Sequence, residues 1–447
     1  MKSITLLLTL AAVATVAANP TKHAIATIKA SGNAFWAGDK RFYIRGIDYQ
    51  PGGDSARIDP LADKDMCTRD IKYFKDLGVN TIRVYTVDNS KDHKECMSAL
   101  ADAGIYLVLD VNTGGQNGYS LNRAAPALSY NAAYLQNVFA TIEEFAQYDN
   151  TLAFFSGNEV INEAGNEFNA PYIKAVTRDM RAYITARKLR AIPVGYSAAD
   201  VAENRLETAK YLNCGSDDVR SDFFAFNDYS FCNTDFKTSG WDQKVKNFTN
   251  YGIPIFLSEY GCIKNRPRKF DEIEALMSSD MTGVYSGGMM YEYSYEKNKF
   301  GIVKLSGENG KGDVEKLGEY DNLKSSLTKY TSPTGDGGAA RENKGVDCPA
   351  KTSSWNVDPI LLPIMPREAA KFMKDGAGKG PGLTGKGSQT AGDSGLSPGN
   401  STGSSSSGGN RGTSDKDNSA AVTRPFIVAS AASILGTVFG IILLWQG

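Results

Sequence analysis

The sequence predicts a (β/α)8 barrel, and three observations carry that expectation. Eight apolar or β-branched runs recur over about 260 residues, with stretches of helical periodicity between them. Nearly every run turns polar or aromatic at its C-terminal end, where a barrel opens its cleft. No Gly-x-Gly-x-x-Gly follows the first run, which weakens the alternative of a doubly wound open sheet.

In chain order, residues 1–18 hold one Lys, an apolar stretch and small residues, which together make a secretory signal peptide cleaved after Ala18. The runs then follow as "RFYIRGIDYQ" (41–50), "VNTIRVYTV" (79–87), "IYLVLDVN" (105–112) and "TLAFFSGNEV" (151–160). The second half gives "IPVGYSAAD" (192–200), "DFFAFNDYS" (222–230), "IPIFLSEYG" (253–261) and "GGMMYEYSYE" (287–296). Segments such as "MCTRDIKYFKDLG" and "NAAYLQNVFATIEEFAQY" supply the intervening helices. Residues 19–330 are thus expected to form the barrel, and 331–375 an extension after it. From 376 to 418 the chain is rich in Gly and Ser, with Leu383 and Leu396 as its large apolar residues, so a disordered stalk is expected. The end, 419–447, has the small residues, polar spacer and greasy tail of a GPI-attachment signal, with Asn418 as the preferred attachment site and Gly412 as the alternative. Sequons for N-glycosylation stand at Asn247 and Asn400.

A net charge of −1 offers no electrostatic case for a nucleic-acid partner. Six cysteines, Cys67, Cys96, Cys214, Cys232, Cys262 and Cys348, favour three disulfides in a secreted chain, but their spacing does not choose among the pairings. No pair has metal-site spacing, and His23 and His93 are the only histidines, so neither zinc hydrolysis nor a Ser-His-Asp triad is expected, and no metal or cofactor.

The chemistry is read from the run ends. Glu159 closes the fourth run and Glu259 the seventh, each behind a short polar residue, Asn158 and Ser258. Strands four and seven lie across a barrel from each other, so the two carboxylates can flank one bond. Glycoside cleavage needs that arrangement: one acid at the leaving oxygen and one carboxylate at the anomeric carbon. Tyr85, Tyr229, Tyr260 and Tyr293 at other tips suit the apolar faces of sugar rings.

"SGNEV" and "LSEYGC", with "YQPGG", "IRVYTVD" and "LVLDVN", closely resemble the fungal GPI-anchored β-1,3-glucanosyltransferases of glycoside hydrolase family 72. The likeness runs from about residue 25 to Cys348. It implies a retaining enzyme that cleaves an internal β-1,3-glucan bond and passes the new end to another chain, with glucan donor and acceptor as partners and the membrane reached through the anchor. Motif by motif, it implies Glu159 as acid/base and Glu259 as nucleophile. Asn158 would hold the sugar 2-hydroxyl, and Gln50, Tyr85, Asp110, Tyr229 and Tyr293 would line subsites. The same resemblance implies the pairings Cys67–Cys96, Cys214–Cys348 and Cys232–Cys262. Some members carry a further cysteine-rich glucan-binding module. With no cysteine after Cys348, this chain is expected to group with those lacking it. Two other functions fit the motifs: an endo-β-1,3-glucanase in which water resolves the intermediate, and a non-catalytic glucan-binding surface protein.

Overall fold

Val, Ile, Leu and Phe crowd the first seven runs and Gly, Met and Tyr make the eighth, and each contributes to one strand of a closed parallel barrel in the computed structural model, which describes residues 25–389 apart from 54, 55 and 116. Ahead of it, β1 (Ile28–Ser31), β2 (Ala34–Ala37) and β3 (Lys40–Phe42) make a small antiparallel sheet. The barrel comprises β4 (Ile44–Asp48), β5 (Thr81–Val84), β6 (Tyr106–Asp110), β7 (Thr151–Asn158), β8 (Val194–Ala199), β9 (Phe223–Asp228), β10 (Ile255–Tyr260) and β11 (Tyr285–Met290). They neighbour one another in chain order, and β11 pairs back onto β4. A second hairpin, β12 (Val303–Leu305) with β13 (Val314–Lys316), follows.

The outer layer is helical: α1 (Lys64–Leu77), α2 (Lys94–Asp102), α3 (Pro126–Ser129), α4 (Ala132–Ala146), α5 (Ala170–Ala186), α6 (Arg205–Leu212), α7 (Trp241–Phe248), α8 (Glu272–Leu276), α9 (Ser279–Thr282) and α10 (Gly318–Lys329). Side-chain caps set the starts of α1 and α4. Asp63 accepts from Met66 N at 3.0 Å ahead of α1, and Asn131 accepts from Tyr134 N at 3.0 Å ahead of α4.

Strand alternation splits the core in two. Phe154 faces the helices, whereas Phe155 faces inward with Val108, Ala153, Phe223, Phe256 and Met289. Ile28 and Phe35 of the leading sheet join that inner cluster, with Phe35 edge-on to Phe256 at 5.8 Å. The N-terminal hairpin therefore plugs the barrel floor.

The three disulfides join Cys67 to Cys96, Cys214 to Cys348 and Cys232 to Cys262, with Cα–Cα distances of 5.9, 5.0 and 5.0 Å. The second fixes the extension, where Val346 N donates to Asn213 O at 3.1 Å and Trp355 is buried against Tyr211. The extension ends in α11 (Phe372–Asp375).

The expectation that disorder begins at 376 is corrected by the structure, because residues 376–389 lie on the barrel wall. Ala377 N donates to Tyr183 Oη at 2.8 Å, Gly382 N to Asn89 Oδ1 at 3.0 Å, and Ser388 N to Gly118 O at 3.0 Å. Gln136 and Asn131 donate back to the carbonyls of Ala377 and Ser388 at 2.9 Å. Composition misled here for a physical reason. The segment buries little side chain of its own, yet its backbone is satisfied by amide and hydroxyl groups of a finished wall. A Cβ on Gly385 would stand 2.2 Å from Tyr119 Oη, so this glycine permits contact rather than disorder. Residues 1–18 and the sites Asn400 and Asn418 lie outside the described residues, as does most of the expected stalk. No described helix is long and apolar enough to cross a membrane.

Candidate active site

An arginine inside the apolar run "TIRV" cannot stay charged within a barrel without partners. Arg83 on β5 is fully buried and finds several. Its Nε donates to Asp110 Oδ2 at 2.9 Å, and its Nη1 donates to Glu259 Oε1 at 3.1 Å. Its guanidinium also lies 4.1 Å from the Tyr85 ring centroid and 4.6 Å from that of Phe155. Burial works against the charge, but Asp110, Tyr85, Glu259 and Asp48 outweigh it and hold the guanidinium well above its ordinary pKa.

Both carboxylate strands change register just before the site. In β10 the pairing with β9 slips between Leu257 and Glu259, and in β7 the pairing with β8 slips between Phe155 and Asn158. Such bulges re-aim side chains. Ser258 and Glu259, although consecutive, thus both point to polar partners inside the barrel: Ser258 Oγ donates to Asn227 Oδ1 at 2.8 Å. Glu159 follows β7 with φ +48°, a left-handed backbone from which its carboxylate meets Asn227 Nδ2 of β9.

The two glutamates sit in unlike environments. Glu259 is 7% exposed and accepts from Tyr85 Oη at 2.8 Å and Tyr229 Oη at 2.5 Å besides Arg83. Burial raises its pKa, Arg83 pulls it back, Glu159 pushes it up, and the two tyrosine hydroxyls lower it. Glu159 is half-buried, accepts from Asn227 Nδ2 at 2.9 Å, and has its backbone carbonyl held by Arg123 Nε at 2.9 Å. Asn158 has its Oδ1 fixed by Ser197 Oγ at 2.7 Å and Asn227 Nδ2 at 3.1 Å, which leaves the Nδ2 side of the amide for the cleft it lines.

The cavity beside the pair measures about 500 Å³ and is walled by Tyr85, Asp110, Asn112, Ser120, Asn158 and Gln389, among others. A larger groove of about 1000 Å³ lies on the outer wall between the first hairpin, α5 and the extension, and none of the strand-tip residues lines it.

Of the expected subsite residues, Tyr85, Asp110, Asn158 and Tyr229 surround the two glutamates. Gln50 is buried, and its amide is spent on backbone: Nε2 donates to Ile58 O at 2.8 Å, and Oε1 accepts from Tyr85 N and Thr86 N. It shapes the Tyr85 turn from beneath. Tyr293 is corrected. It is fully buried on the helix side, donating to Asp70 Oδ1 of α1 at 2.9 Å and packing edge-on to Tyr49 and Phe74. The strand ends at Met290, earlier than the run suggested, and the buried carboxylate on α1 captures the hydroxyl. The aromatic at that tip is Tyr291, 6.2 Å from Tyr229 and 6.4 Å from Tyr85 by ring centroids, with Phe300 beside it. Tyr260 is also buried, within the core cluster between barrel and helices.

Sequence reading missed Arg83, Asn227 as the Glu159 partner, Ser197, Arg123 and Tyr291. For Arg83 the signal was present, a charge alternating with Ile82 and Val84 in a core strand. Asp48 is fully buried among these groups, and neither of its oxygens meets a donor among the described residues. Burial raises its pKa well above the carboxylate range, against the pull of Arg83 and with the push of Glu259, Glu292 and Asp110.

The sequence matches the family model described as "Glucanosyltransferase" over residues 17–331. It is 61% identical over 363 residues to 1,3-beta-glucanosyltransferase gel1 of Aspergillus fumigatus, covering 81% of this chain and 78% of that one. It is 48% identical over 384 residues to 1,3-beta-glucanosyltransferase GAS5 of Saccharomyces cerevisiae, covering 85% and 78%. Among solved structures, a Saccharomyces cerevisiae Gas2p mutant in complex with laminaritetraose and laminaripentaose superposes with a TM-score of 0.70 at 37% identity, covering 77% and 76%. With its barrel, its pair of glutamates and this match, the chain belongs to glycoside hydrolase family 72, the glucanosyltransferases.

Proposed function

We propose that the chain is a retaining β-1,3-glucanosyltransferase. The Glu259 carboxylate attacks the anomeric carbon of an internal glucosyl unit while the bond to the leaving oxygen breaks, and Glu159 gives that oxygen its proton. The donor end is then held as an ester on Glu259. Glu159, now ionised, takes the proton from a hydroxyl at the non-reducing end of a second chain. That oxygen displaces Glu259, and a β bond is restored after two inversions. Asn158 positions the sugar 2-hydroxyl, and Tyr85, Asp110 and Tyr229 line the adjoining subsites.

The observation that supports this most is the contrast between the glutamates. One is sunk beneath a guanidinium and two phenols, as a nucleophile held in place requires, and the other stands half-open where a leaving group or acceptor arrives. The curated relatives bear the same activity in their names. The test is the product ladder from a defined laminari-oligosaccharide. Chains longer than the substrate establish transfer, and products that are only shorter make the protein an endo-glucanase.

The cell surface is the proposed location, reached through the 1–18 signal and a GPI anchor at Asn418 that replaces 419–447. Asn247, exposed near the end of α7, and Asn400 are the proposed glycan carriers. A phosphatidylinositol-specific phospholipase should release the mature protein from membranes. Trp445 found in the mature chain by mass spectrometry would contradict the anchor.

A further inference from the structure

The segment Gly376–Gln389, expected to be stalk, runs along the barrel wall and reaches the cleft. Its last described residue, Gln389, is half-buried and lines the same cavity as Asp110 and Asn158. The amide is oriented by Ser120: Gln389 Nε2 donates to Ser120 O at 2.7 Å and reaches Ser120 Oγ at 3.3 Å. Ser120 belongs to a loop closed on itself, where Thr113 N donates to Tyr119 O at 3.0 Å and Tyr119 N to Thr113 Oγ1 at 2.9 Å. The segment buttresses that loop through the bond from Ser388 N to Gly118 O. Three residues beyond Ser120, Arg123 grips the Glu159 carbonyl. The fit is close, since a Cβ on Gly387 would stand 2.6 Å from the Asn117 carbonyl carbon, and its φ is +79°.

The hydrogen-bonding wall so formed is amide and hydroxyl at Asn112, Ser120, Asn122, Asn158 and Gln389, and the two charged groups beside it are already engaged, Asp110 by Arg83 and Arg123 by the Glu159 carbonyl. Such a surface suits a neutral, hydroxyl-rich ligand better than a charged one. We propose that Gly376–Gln389 is an outer wall of the glucan cleft and that Gln389 is a specificity-determining residue, contacting sugar hydroxyls on the Asp110–Asn158 side of the bond cleaved. This rests on the glucanosyltransferase reading. It places the segment that leads toward the proposed anchor in the substrate path, so that saccharide length is sensed by a part of the chain beyond the barrel.

The experiment uses the mature chain carrying Gln389→Ala or Gly387→Ala, assayed for KM, kcat and product length on laminari-oligosaccharides of increasing length. Loss of one hydrogen-bonding amide should raise KM for long donors about three- to tenfold, with a smaller effect on those too short to reach the rim. The product ladder should shift in length. Gly387→Ala should act the same way by lifting the segment from the 113–119 loop. Should that variant fail to fold, Gln389→Ala at the half-buried rim decides alone. Unchanged KM and ladder in Gln389→Ala, or an equal fall in kcat at every length, would overturn the proposal. If the unaltered protein only shortens its substrates, the transferase reading falls while the KM comparison still judges the wall. If it leaves them intact, both fall.

Discussion

Glu259 must be ionised to attack, yet burial in the barrel favours its neutral form. Arg83, Tyr85 and Tyr229 counter that tendency, so the acid limb of kcat/KM should report how well they do so. The sign follows from the role: the carboxylate is the active form, its pKa is raised, and rate is lost as pH falls through that value. Tyr229→Phe removes a bond that lowers the pKa. The acid limb should therefore move to higher pH, with kcat/KM at neutral pH down about tenfold. A limb that stays put would show that Tyr229 does not govern the charge. The pair itself is tested by near-isosteric changes. Glu159→Gln and Glu259→Gln should each cost on the order of 10³-fold or more in turnover without loss of fold. A donor with an activated leaving group should still glycosylate the Glu159 variant, because it no longer needs the acid, but not the Glu259 variant. Equal behaviour of the two variants toward that donor would undo the assignment of roles.

At the scale of elements, His93 ties the loop ahead of α1 to α4. It stands just before α2, fully buried, with Nε2 2.8 Å from Asp59 Oδ2 and Nδ1 2.9 Å from Glu144 Oε1 of α4. Burial alone would lower its pKa, but the two carboxylates outweigh that and raise it to about 9. Because the folded value exceeds the unfolded one, the stabilisation is complete below about pH 6.5 and is lost as pH rises through about 9. A shift of that size corresponds to roughly 3 kcal/mol. Denaturant unfolding between pH 6 and about 9.5 should show this loss, and His93→Gln should flatten it; a variant with the parent's slope would exclude His93 as its source. The same scale shows what the sequence discloses. The eight strands and their polar tips were legible because strand cores and tips differ in composition, so Glu159 and Glu259 could be read directly. Bulges are not legible, since one extra residue leaves no compositional trace, and so the bonds that Ser197 and Asn227 make to Asn158 and Glu159 could not be read. Tyr293 was misassigned because Tyr291 and Tyr293 look alike until the strand's end is known. The 376–389 segment was misread because glycine for close approach and glycine for flexibility are spelled identically.

Over the whole molecule, the chain after the barrel works as a belt. It pairs with the first hairpin, where Asn33 N donates to Ala340 O at 3.1 Å and Ala340 N to Asn33 Oδ1 at 2.8 Å. It is then bonded at Cys214–Cys348 and climbs α4 and α5 to the cleft rim. The disulfide closes the longest covalent loop of the three, with a sequence separation of 134. In the chain-entropy model such a loop contributes about 5 kcal/mol by restricting the unfolded chain. That is a large share of a typical domain's stability of about 5–15 kcal/mol. Replacing both cysteines by Ser should lower the melting temperature by roughly 7 °C and reduce secreted yield. Turnover per folded molecule should be largely kept, because the bond lies on the outer wall near α6 while Glu159 and Glu259 stand on β7 and β10, held by other bonds. The segment 376–389 should also stay seated through its own hydrogen bonds to Tyr183, Asn89 and Gly118. A double variant with the parent's melting temperature would mean that the belt is held by its non-covalent contacts alone. One that folds normally but loses turnover would mean that the seating of the belt reaches the glutamates.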